Sequence, residues 1–293
     1  LGPNGAGKST TVKILTTLSR ANAGSATVAG HDVAKSPEAV RRRIGSVTQR
    51  NAVDLEATGA ENLKLQGHLY GLRGSALQSR VDELLERLGL SAAAKRVALT
   101  YSGGMLRKLD VAMGLVHRPS VLFLDEPTTG LDPEARSEMW QEISRLSREE
   151  RLTVLLTTHY LEEADRLADR IAIIDAGRVV AEGTSDELKS ELKGDAVVLQ
   201  LALPAGSALA VDTEGPVASA MAALADVVRD GTVDGRSFRA RVADGASALP
   251  AVIAAFESAG VPVTSATIAR PSLDDVYLRH TGHAYETDKE GLK

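Results

Sequence analysis

The chain begins with a glycine-rich segment that fits the pattern G-x-x-x-x-G-K-[ST] and reads Gly2-Pro3-Asn4-Gly5-Ala6-Gly7-Lys8-Ser9. The glycines of such a loop let the backbone wrap around phosphate groups, and N–H groups at the start of the next helix point at them. Lys8 can reach the outer phosphates, and the Ser9 hydroxyl can hold Mg²⁺. The segment predicts a phosphate-binding loop, with a plain glycine-rich turn as the alternative.

An acidic pair follows the apolar run at residues 121–124, which is typical of a buried strand. Ligands bind at the carboxyl end of the sheet in α/β folds, so Asp125 and Glu126 would lie at such a site. There Asp125 could orient Mg²⁺, partly through water, and Glu126 could polarise an attacking water as general base. A solvated strand end before a turn at Pro127 is the alternative.

Three further polar positions each have an ordinary explanation when taken alone. Ser102 precedes Gly103-Gly104 and can cap the next helix, which leaves backbone N–H groups open to an anion. Gln49 and His159 each follow a strand-like run, where His159 could touch a γ-phosphate or the attacking water. A helix cap, a solvated glutamine and a surface histidine are the simpler explanations.

Taken together and in order, these segments resemble the ATPase domain of ABC transporters. The Walker A, Q-loop, signature, Walker B, D-loop and H-loop motifs correspond to residues 2–10, Gln49, Ser102-Gly103-Gly104, Asp125-Glu126, Gly130-Leu131-Asp132 and His159. The resemblance covers about residues 1–188 and includes the spacing between the motifs. It implies an α/β P-loop NTPase domain with a parallel-rich sheet and a helical subdomain.

The resemblance also implies a role for each motif residue. It implies that ATP is bound by Gly2, Pro3, Asn4, Gly5, Ala6, Gly7, Lys8, Ser9, Thr10, Gln49, Ser102, Gly103, Gly104 and Asp132. Mg²⁺ would be held by Ser9, Gln49 and Asp125. Catalysis would use Glu126 as the base, assisted by Lys8 and His159.

By the same resemblance, two ATPase domains would form a head-to-tail homodimer. Each ATP would lie between the 2–9 loop of one subunit and the signature turn of the other. Separate membrane-spanning permease subunits would be the other partners, contacted through the loop of Gln49, while Asp132 would signal across the dimer. We therefore expect a peripheral protein on the cytoplasmic side of the membrane that binds no nucleic acid.

The C-terminal third has its own pattern. Its predicted element order is β-α-β-β-α-β, which indicates a small α+β ferredoxin-like domain. The segment Pro271-Ser272-Leu273-Asp274-Asp275-Val276-Tyr277-Leu278 resembles the ending of daunorubicin/doxorubicin-resistance-type exporter ATPases, as does Met105 in the signature. We place the domains at 1–194 and 195–282 and a polar tail at 283–293. A stability or dimerisation role is favoured over substrate recognition.

The resemblance carries two departures. The first strands of the family, with an aromatic residue that stacks on adenine, are expected upstream of Leu1, so we expect the first domain to be N-terminally truncated here. Met105 stands where the signature usually has glutamine, and the backbone of Ser102, Gly103 and Gly104 is expected to maintain phosphate contact.

Composition limits the alternatives. The 293 residues include no cysteine, which removes disulfides, thiolate metal sites and cysteine nucleophiles. Residues 195–293 carry 8 basic and 13 acidic side chains and residues 1–194 carry 26 of each, so neither part has the basic footprint of a nucleic-acid binder. No apolar run approaches the roughly 20 residues of a membrane helix, so action at a membrane would require a partner.

Two other functions stay open at this point. One is a soluble ABC-type ATPase acting on ribosomes or DNA, although the chain has one cassette and no heptad run. The other is a non-catalytic nucleotide-binding module, although Lys8, Glu126 and His159 are all retained. For an exporter, the cargo is open between drug, antibiotic, lipid and glycolipid.

Overall fold

The computed structural model describes residues 1–49, 51–192, 194–202, 215–269 and 271–281. Contacts between Cα atoms divide the described residues into two compact units, the first from Leu1 to Glu182 and the second from Gly183 to Thr281. The described helices and strands are, in chain order, α1 (Lys8–Leu15), β1 (Thr27–Val28), β2 (His31–Asp32), α2 (Pro37–Arg43), β3 (Ile44–Val47), α3 (Gly59–Leu69), α4 (Gly74–Arg87), α5 (Gly103–Leu115), β4 (Val121–Asp125), α6 (Pro133–Arg148), β5 (Thr153–Thr157), α7 (Leu161–Leu167), β6 (Ile171–Asp175), β7 (Arg178–Gly183), α8 (Ser185–Ser190), β8 (Asp195–Leu201), α9 (Pro216–Ala223), β9 (Val228–Asp234), β10 (Ser237–Val242), α10 (Gly245–Ser258), β11 (Val263–Ala269) and α11 (Leu273–Thr281).

A parallel sheet forms the centre of the first unit. Among the described residues its strands run in the order β3-β4-β5, with Ile44 beside Val121 and Val121 beside Thr153. The apolar run of β4 is buried, as a parallel strand covered on both faces requires. The shared direction brings the carboxyl ends of the three strands to one edge, where Thr48, Glu126 and Thr158 follow them.

A helical part of the first unit packs α3 and α4 against α5. Thr58 and Glu61 form a capping box, in which each side chain accepts a hydrogen bond from the other residue's backbone N–H. The spacing of Leu77, Val81 and Leu84 places them on one face of α4, and all three are buried. This arrangement confirms the predicted helical subdomain.

The phosphate loop is anchored by backbone hydrogen bonds to two strands. The amine nitrogen of Leu1 donates to the carbonyl of Ala172 over 3.0 Å, and the N–H of Ile174 donates to the carbonyl of Leu1 over 2.8 Å. The N–H of Gly2 donates to the carbonyl of Thr158. A mainly apolar cavity of about 570 Å³ lies beside Leu1, lined by β5 and β6. The loop therefore starts between β6 and the end of β5.

The second unit contains an antiparallel sheet. Within its described residues the strand order is β11-β8-β10-β9, with Phe238 opposite Leu199 and Ala266 opposite Leu199 on the other side. Helices α9 and α10 contact each other, and Phe238 and Phe256 pack with ring centroids 4.6 Å apart. This order confirms the predicted ferredoxin-like pattern.

The boundary between the two units, after Glu182, lies twelve residues before the boundary at residue 194 that the sequence predicted. Helix α8 packs against α11, so it belongs with the second unit although it precedes residue 194. The predicted tail at 283–293 lies outside the described residues. No helix within the described ranges is both long enough and apolar enough to cross a bilayer.

Candidate functional site

The glycine-rich segment forms a tight loop that ends in α1. Gly5 and Gly7 have φ angles of 81° and 102°, a left-handed conformation that favours glycine. Gly7 is the N-cap of α1, and its carbonyl accepts the N–H of Thr11. The first N–H groups of α1 have no partner earlier in the helix, so the loop and helix end can together bind an anion.

Lys8 is buried at the first position of α1, with 4% of its surface exposed. Its ammonium donates to the carbonyls of Gly2 and Pro3 over 2.7 and 3.1 Å. It also lies 3.2 Å from Oε1 of Glu126. The charge of Lys8 is thus held between the loop and the end of β4.

A cavity of about 320 Å³ opens between the loop and the strand ends. Its lining residues are Pro3, Asn4, Gly5, Gly7, Lys8, Ser9, Thr10, Gln49 and Glu126. The fold therefore brings together the loop, Gln49 beyond the end of β3 and Glu126 after β4, as the sequence analysis expected. This combination of backbone N–H groups and one ammonium is suited to a polyphosphate.

Glu126 has an unusual backbone conformation. Its φ angle is 50°, in the left-handed region that residues with a Cβ seldom occupy. Its N–H donates to both the carbonyl and the hydroxyl oxygen of Thr157, each over 3.1 Å. Such strain persists only where surrounding contacts fix it, and it concentrates at functional sites.

The carboxylate of Glu126 is surrounded by groups that stabilise its charge. Oε2 lies 3.4 Å from Nδ1 of His159 and accepts from the amide of Gln49 at 3.5 Å and the hydroxyl of Thr129 at 3.4 Å. The imidazole of His159, and then the charge of Lys8, lower the pKa of Glu126 to about 2 against the opposing effect of burial. The acid is therefore ionised at neutral pH.

Ser9 and Asp125 meet beneath the cavity. The hydroxyl of Ser9 donates to Oδ1 of Asp125 over 3.2 Å, and the hydroxyl of Thr157 donates to the same oxygen. Hydroxyl and carboxylate oxygens are suitable ligands for Mg²⁺. The described residues contain no group of three or more His, Cys, Asp or Glu that could hold a metal. A Mg²⁺ ion here would therefore also need phosphate and water oxygens.

The signature turn forms a second cluster with Asp132. Ser102 is the N-cap of α5 and accepts the N–H of Met105 over 3.3 Å, while Asp132 caps α6 by accepting the N–H of Ala135. A Cβ at Gly104 would lie 2.9 Å from that of Ala135, so the two helix starts are in close contact. These residues do not line the cavity at the loop. The predicted nucleotide-binding residues thus form two groups within one chain.

Sequence reasoning missed several buried polar residues behind the cavity. Glu163 on α7 is fully buried, and its Oε1 accepts from the hydroxyl of Thr128 and the indole N–H of Trp140, both over 2.9 Å. Arg107 on α5 is also buried and reaches the end of β4. Arg107 is followed by Lys108 and Asp110 on α5, so no local pattern in the sequence marked it as a buried residue.

Both units of the chain match families of known proteins. The ABC transporter family profile matches residues 1–129, and that of the ATP-binding protein DrrA1-3-like C-terminal domain matches residues 183–281. The daunorubicin resistance ATP-binding protein DrrA3 of Streptomyces coeruleorubidus is 48% identical over 284 residues, which are 96% of this chain and 86% of that protein. This chain belongs to the ABC transporter ATPase family.

Further relatives of this ABC ATPase agree with that assignment. The daunorubicin/doxorubicin resistance ATP-binding protein DrrA of Streptomyces peucetius is 46% identical over 97% of this chain and 83% of its own length. A dimeric, post-hydrolysis ATP-binding cassette bound to ADP and phosphate matches with a TM-score of 0.57 and 26% identity, over 62% of this chain and 82% of that one. The predicted family, fold class and ATPase activity are confirmed.

Proposed function

We propose that this ABC ATPase powers the efflux of a drug-like or lipid-like compound through separate membrane-spanning subunits. The observation that carries the proposal is the assembly of Lys8, Gln49 and Glu126 around a cavity of about 320 Å³, with His159 beside the Glu126 carboxylate. The likeness to drug-resistance ATPases extends through both units, which supports an exporter. An amphipathic compound is the cargo class that this likeness favours.

In the proposed reaction Lys8 exchanges partners. Its ammonium is paired with Glu126 and two loop carbonyls. A γ-phosphate in the cavity offers Lys8 a more highly charged partner, which releases Glu126 to orient and polarise the attacking water. Gln49 and His159, which already approach Oε2 of Glu126, would position that water and the γ-phosphate.

We further propose that Ser9 and Asp125 hold Mg²⁺, with Gln49 as a third ligand. The hydrogen bond between Ser9 and Asp125 brings their oxygens within 3.2 Å of each other, and Gln49 lines the same cavity as Ser9. When bound, the ion would neutralise charge on the β- and γ-phosphates. The Thr157 hydroxyl donates to the same Asp125 oxygen as Ser9 and so helps to fix the carboxylate.

We propose that two copies of the chain complete the site as a head-to-tail homodimer. Ser102, Gly103 and Gly104 form the N-terminal turn of α5 but do not line the cavity of their own subunit. A helix N-terminus can neutralise an uncovered γ-phosphate. The signature turn and the adjacent Asp132 would therefore contact the nucleotide of the partner subunit. The permease subunits would place this dimer on the cytoplasmic face of the membrane.

The test is Mg-ATP turnover of the full chain beside a Glu126→Gln variant. Because removal of a general base costs about 100- to 10,000-fold, the variant should hydrolyse ATP at that lower rate. It should still bind ATP and should accumulate an ATP-dependent dimer on a sizing column. If Glu126→Gln leaves turnover intact, the proposed catalytic role is wrong.

Export is tested separately in cells that carry the chain together with its native membrane subunits. Wild-type and Glu126→Gln cells are loaded with daunorubicin, and its retention is followed by fluorescence. Faster loss from wild-type cells is the expected result. Equal loss from both strains, with turnover confirmed in vitro, would exclude this cargo and leave the ATPase assignment intact.

A further inference from the structure

Arg107 occupies a position that ties three motif segments together. It lies on α5, in the second turn after the signature residues, and 5% of its surface is exposed. Its Nε donates to the carbonyl of Pro127 over 2.8 Å, and Nη2 donates to the carbonyls of Asp125 and Glu126 over 3.2 and 3.3 Å. One guanidinium thus binds three successive carbonyls at the end of β4.

The same side chain also reaches the end of β3. Nη1 donates to the carbonyl of Thr48 over 2.7 Å and to Oδ2 of Asp110 over 3.5 Å. Thr48 directly precedes Gln49, which lines the cavity at the loop. The guanidinium therefore connects α5 with the residues just before Gln49 and with the peptide of Glu126.

These contacts use every donor of the guanidinium, since five N–H groups meet five acceptors in a fixed planar fork. A buried charge is tolerated where its hydrogen bonds are satisfied in this way. A lysine offers three donors on a tetrahedral ammonium and cannot reproduce the pattern. The site therefore requires the shape of arginine as well as its charge.

The contact with the Glu126 carbonyl has a particular consequence. Glu126 is held at a φ angle of 50°, a conformation that needs external restraint. Thr157 restrains the N–H side of this residue, and Arg107 restrains its carbonyl side. Removing Arg107 would free the peptide to rotate, which would move the carboxylate away from its place beside Lys8.

We infer that Arg107 is a positioning residue for ATP hydrolysis. It fixes the positions of Glu126 and Gln49 relative to α5, the helix that begins at the signature turn. Arg107 does not line the cavity, so it would act through these two residues and leave nucleotide binding intact. The inference rests on the proposed role of Glu126 as general base. If α5 moves at the signature turn, Arg107 would transmit that movement to Glu126 and Gln49 of the same subunit.

Arg80 provides a matched control for the experiment. It is a buried arginine of the same unit, on α4, and it also donates to backbone carbonyls, those of Leu115 and Val116. It contacts neither strand end at the cavity. Arg107→Lys and Arg80→Lys should therefore cause similar losses of thermal stability while differing in catalysis.

The experiment measures kcat, ATP affinity and melting temperature for wild type, Arg107→Lys and Arg80→Lys in the full chain. We expect kcat of Arg107→Lys to fall by about 100-fold, the usual effect of displacing a catalytic group by about 1 Å, with ATP affinity unchanged. Arg80→Lys should retain wild-type kcat. A wild-type kcat in Arg107→Lys, or an equal loss in Arg80→Lys, would overturn the inference.

A double variant separates this inference from the proposed function. Since Arg107 would act through both Glu126 and Gln49, adding Arg107→Lys to Glu126→Gln should lower the residual turnover by a much smaller factor than in the wild-type background, because only the effect on Gln49 remains. A further loss of the same size as in the wild-type background would show that Arg107 acts by another route. Retained turnover in Glu126→Gln alone would refute the proposed base, and that result is visible before the double variant is made.

Discussion

The two units use buried polar residues in different ways. In the first unit, buried Lys8, Arg107 and Asp125 belong to three separate elements and converge on the carboxyl ends of the parallel strands. In the second unit, the buried carboxylate of Asp275 accepts the N–H and hydroxyl of Ser272 and pairs with Arg239, so it fixes the start of α11. The buried polar residues of the first unit therefore form the candidate functional site, whereas buried Asp275 in the second unit stabilises the start of α11.

The sheets explain part of this difference. Parallel strands place all their carboxyl ends at one edge, so residues far apart in the sequence, such as Thr48 and Glu126, become neighbours. The antiparallel sheet of the second unit alternates its strand ends and packs one face on α9 and α10. We therefore expect substitutions in the first unit to affect nucleotide chemistry, and substitutions in the second unit to affect stability.

Phe256→Ala should give the largest stability effect and tests the second half of this comparison. Phe256 is fully buried on α10 against Phe238. Its truncation should lower the free energy of unfolding of the second unit by about 3–5 kcal/mol. Turnover per folded molecule, measured below the melting temperature, should equal that of wild type. A loss of turnover at full folding would show that the core of the second unit controls the site.

Lys8→Met should weaken ATP binding. A hydrogen bond to a charged group contributes about 1.5–3 kcal/mol, so affinity for ATP should fall by about one to two orders of magnitude. Lys13→Met on the same helix is the control, because Lys13 is exposed. Equilibrium titration with a fluorescent ATP analogue distinguishes the two. Equal affinities in both variants would contradict a phosphate-binding role for Lys8.

Gly104→Ala and Gly103→Ala form a pair that probes how tightly the signature turn is packed. A Cβ at Gly104 would lie 2.9 Å from Cβ of Ala135, whereas at Gly103 the nearest atom would be a Leu131 methyl at 3.9 Å. Overpacking costs about 1–3 kcal/mol, so Gly104→Ala should lower the melting temperature. Gly103→Ala should leave it unchanged or raise it slightly, because alanine favours helix. Equal melting temperatures would mean that α5 and α6 are not in close contact.

The sequence predicted much of the fold because its main signals are local. The apolar run before Asp125 and the proline at the first position of α6 mark their elements directly. Ser102 caps α5 as expected. The order of elements in the second unit was enough to predict its sheet, since the ferredoxin-like pattern follows from the order β-α-β-β-α-β.

What the sequence did not predict depends on contacts between distant residues. The five acceptors of Arg107 come from α5, the end of β3 and the end of β4, and nothing near residue 107 marks them. The left-handed conformation of Glu126 is likewise imposed by Thr157, 31 residues away.

The last comparison concerns pH and the carboxylate of Glu126. The His159 ring, and then Lys8, lower the pKa of Glu126 from 4.5 to about 2. A carboxyl with a lowered pKa stabilises the fold above its unfolded pKa and loses that contribution as the pH falls towards the folded value. Glu126→Gln removes this contribution, so the difference in unfolding free energy from wild type should be constant near neutral pH.

This difference should shrink as the pH falls from 4.5 towards about 2. Urea unfolding of both proteins without nucleotide, across that range, measures it. Glu257→Gln, which removes the same charge from an exposed position on α10, is the control for the loss of one carboxylate. A difference that grows as the pH falls would mean that the surroundings of Glu126 oppose its charge. Lys8 would then have to be held by the loop carbonyls without help from the acid, and the exchange of partners proposed for ATP binding would lose its basis.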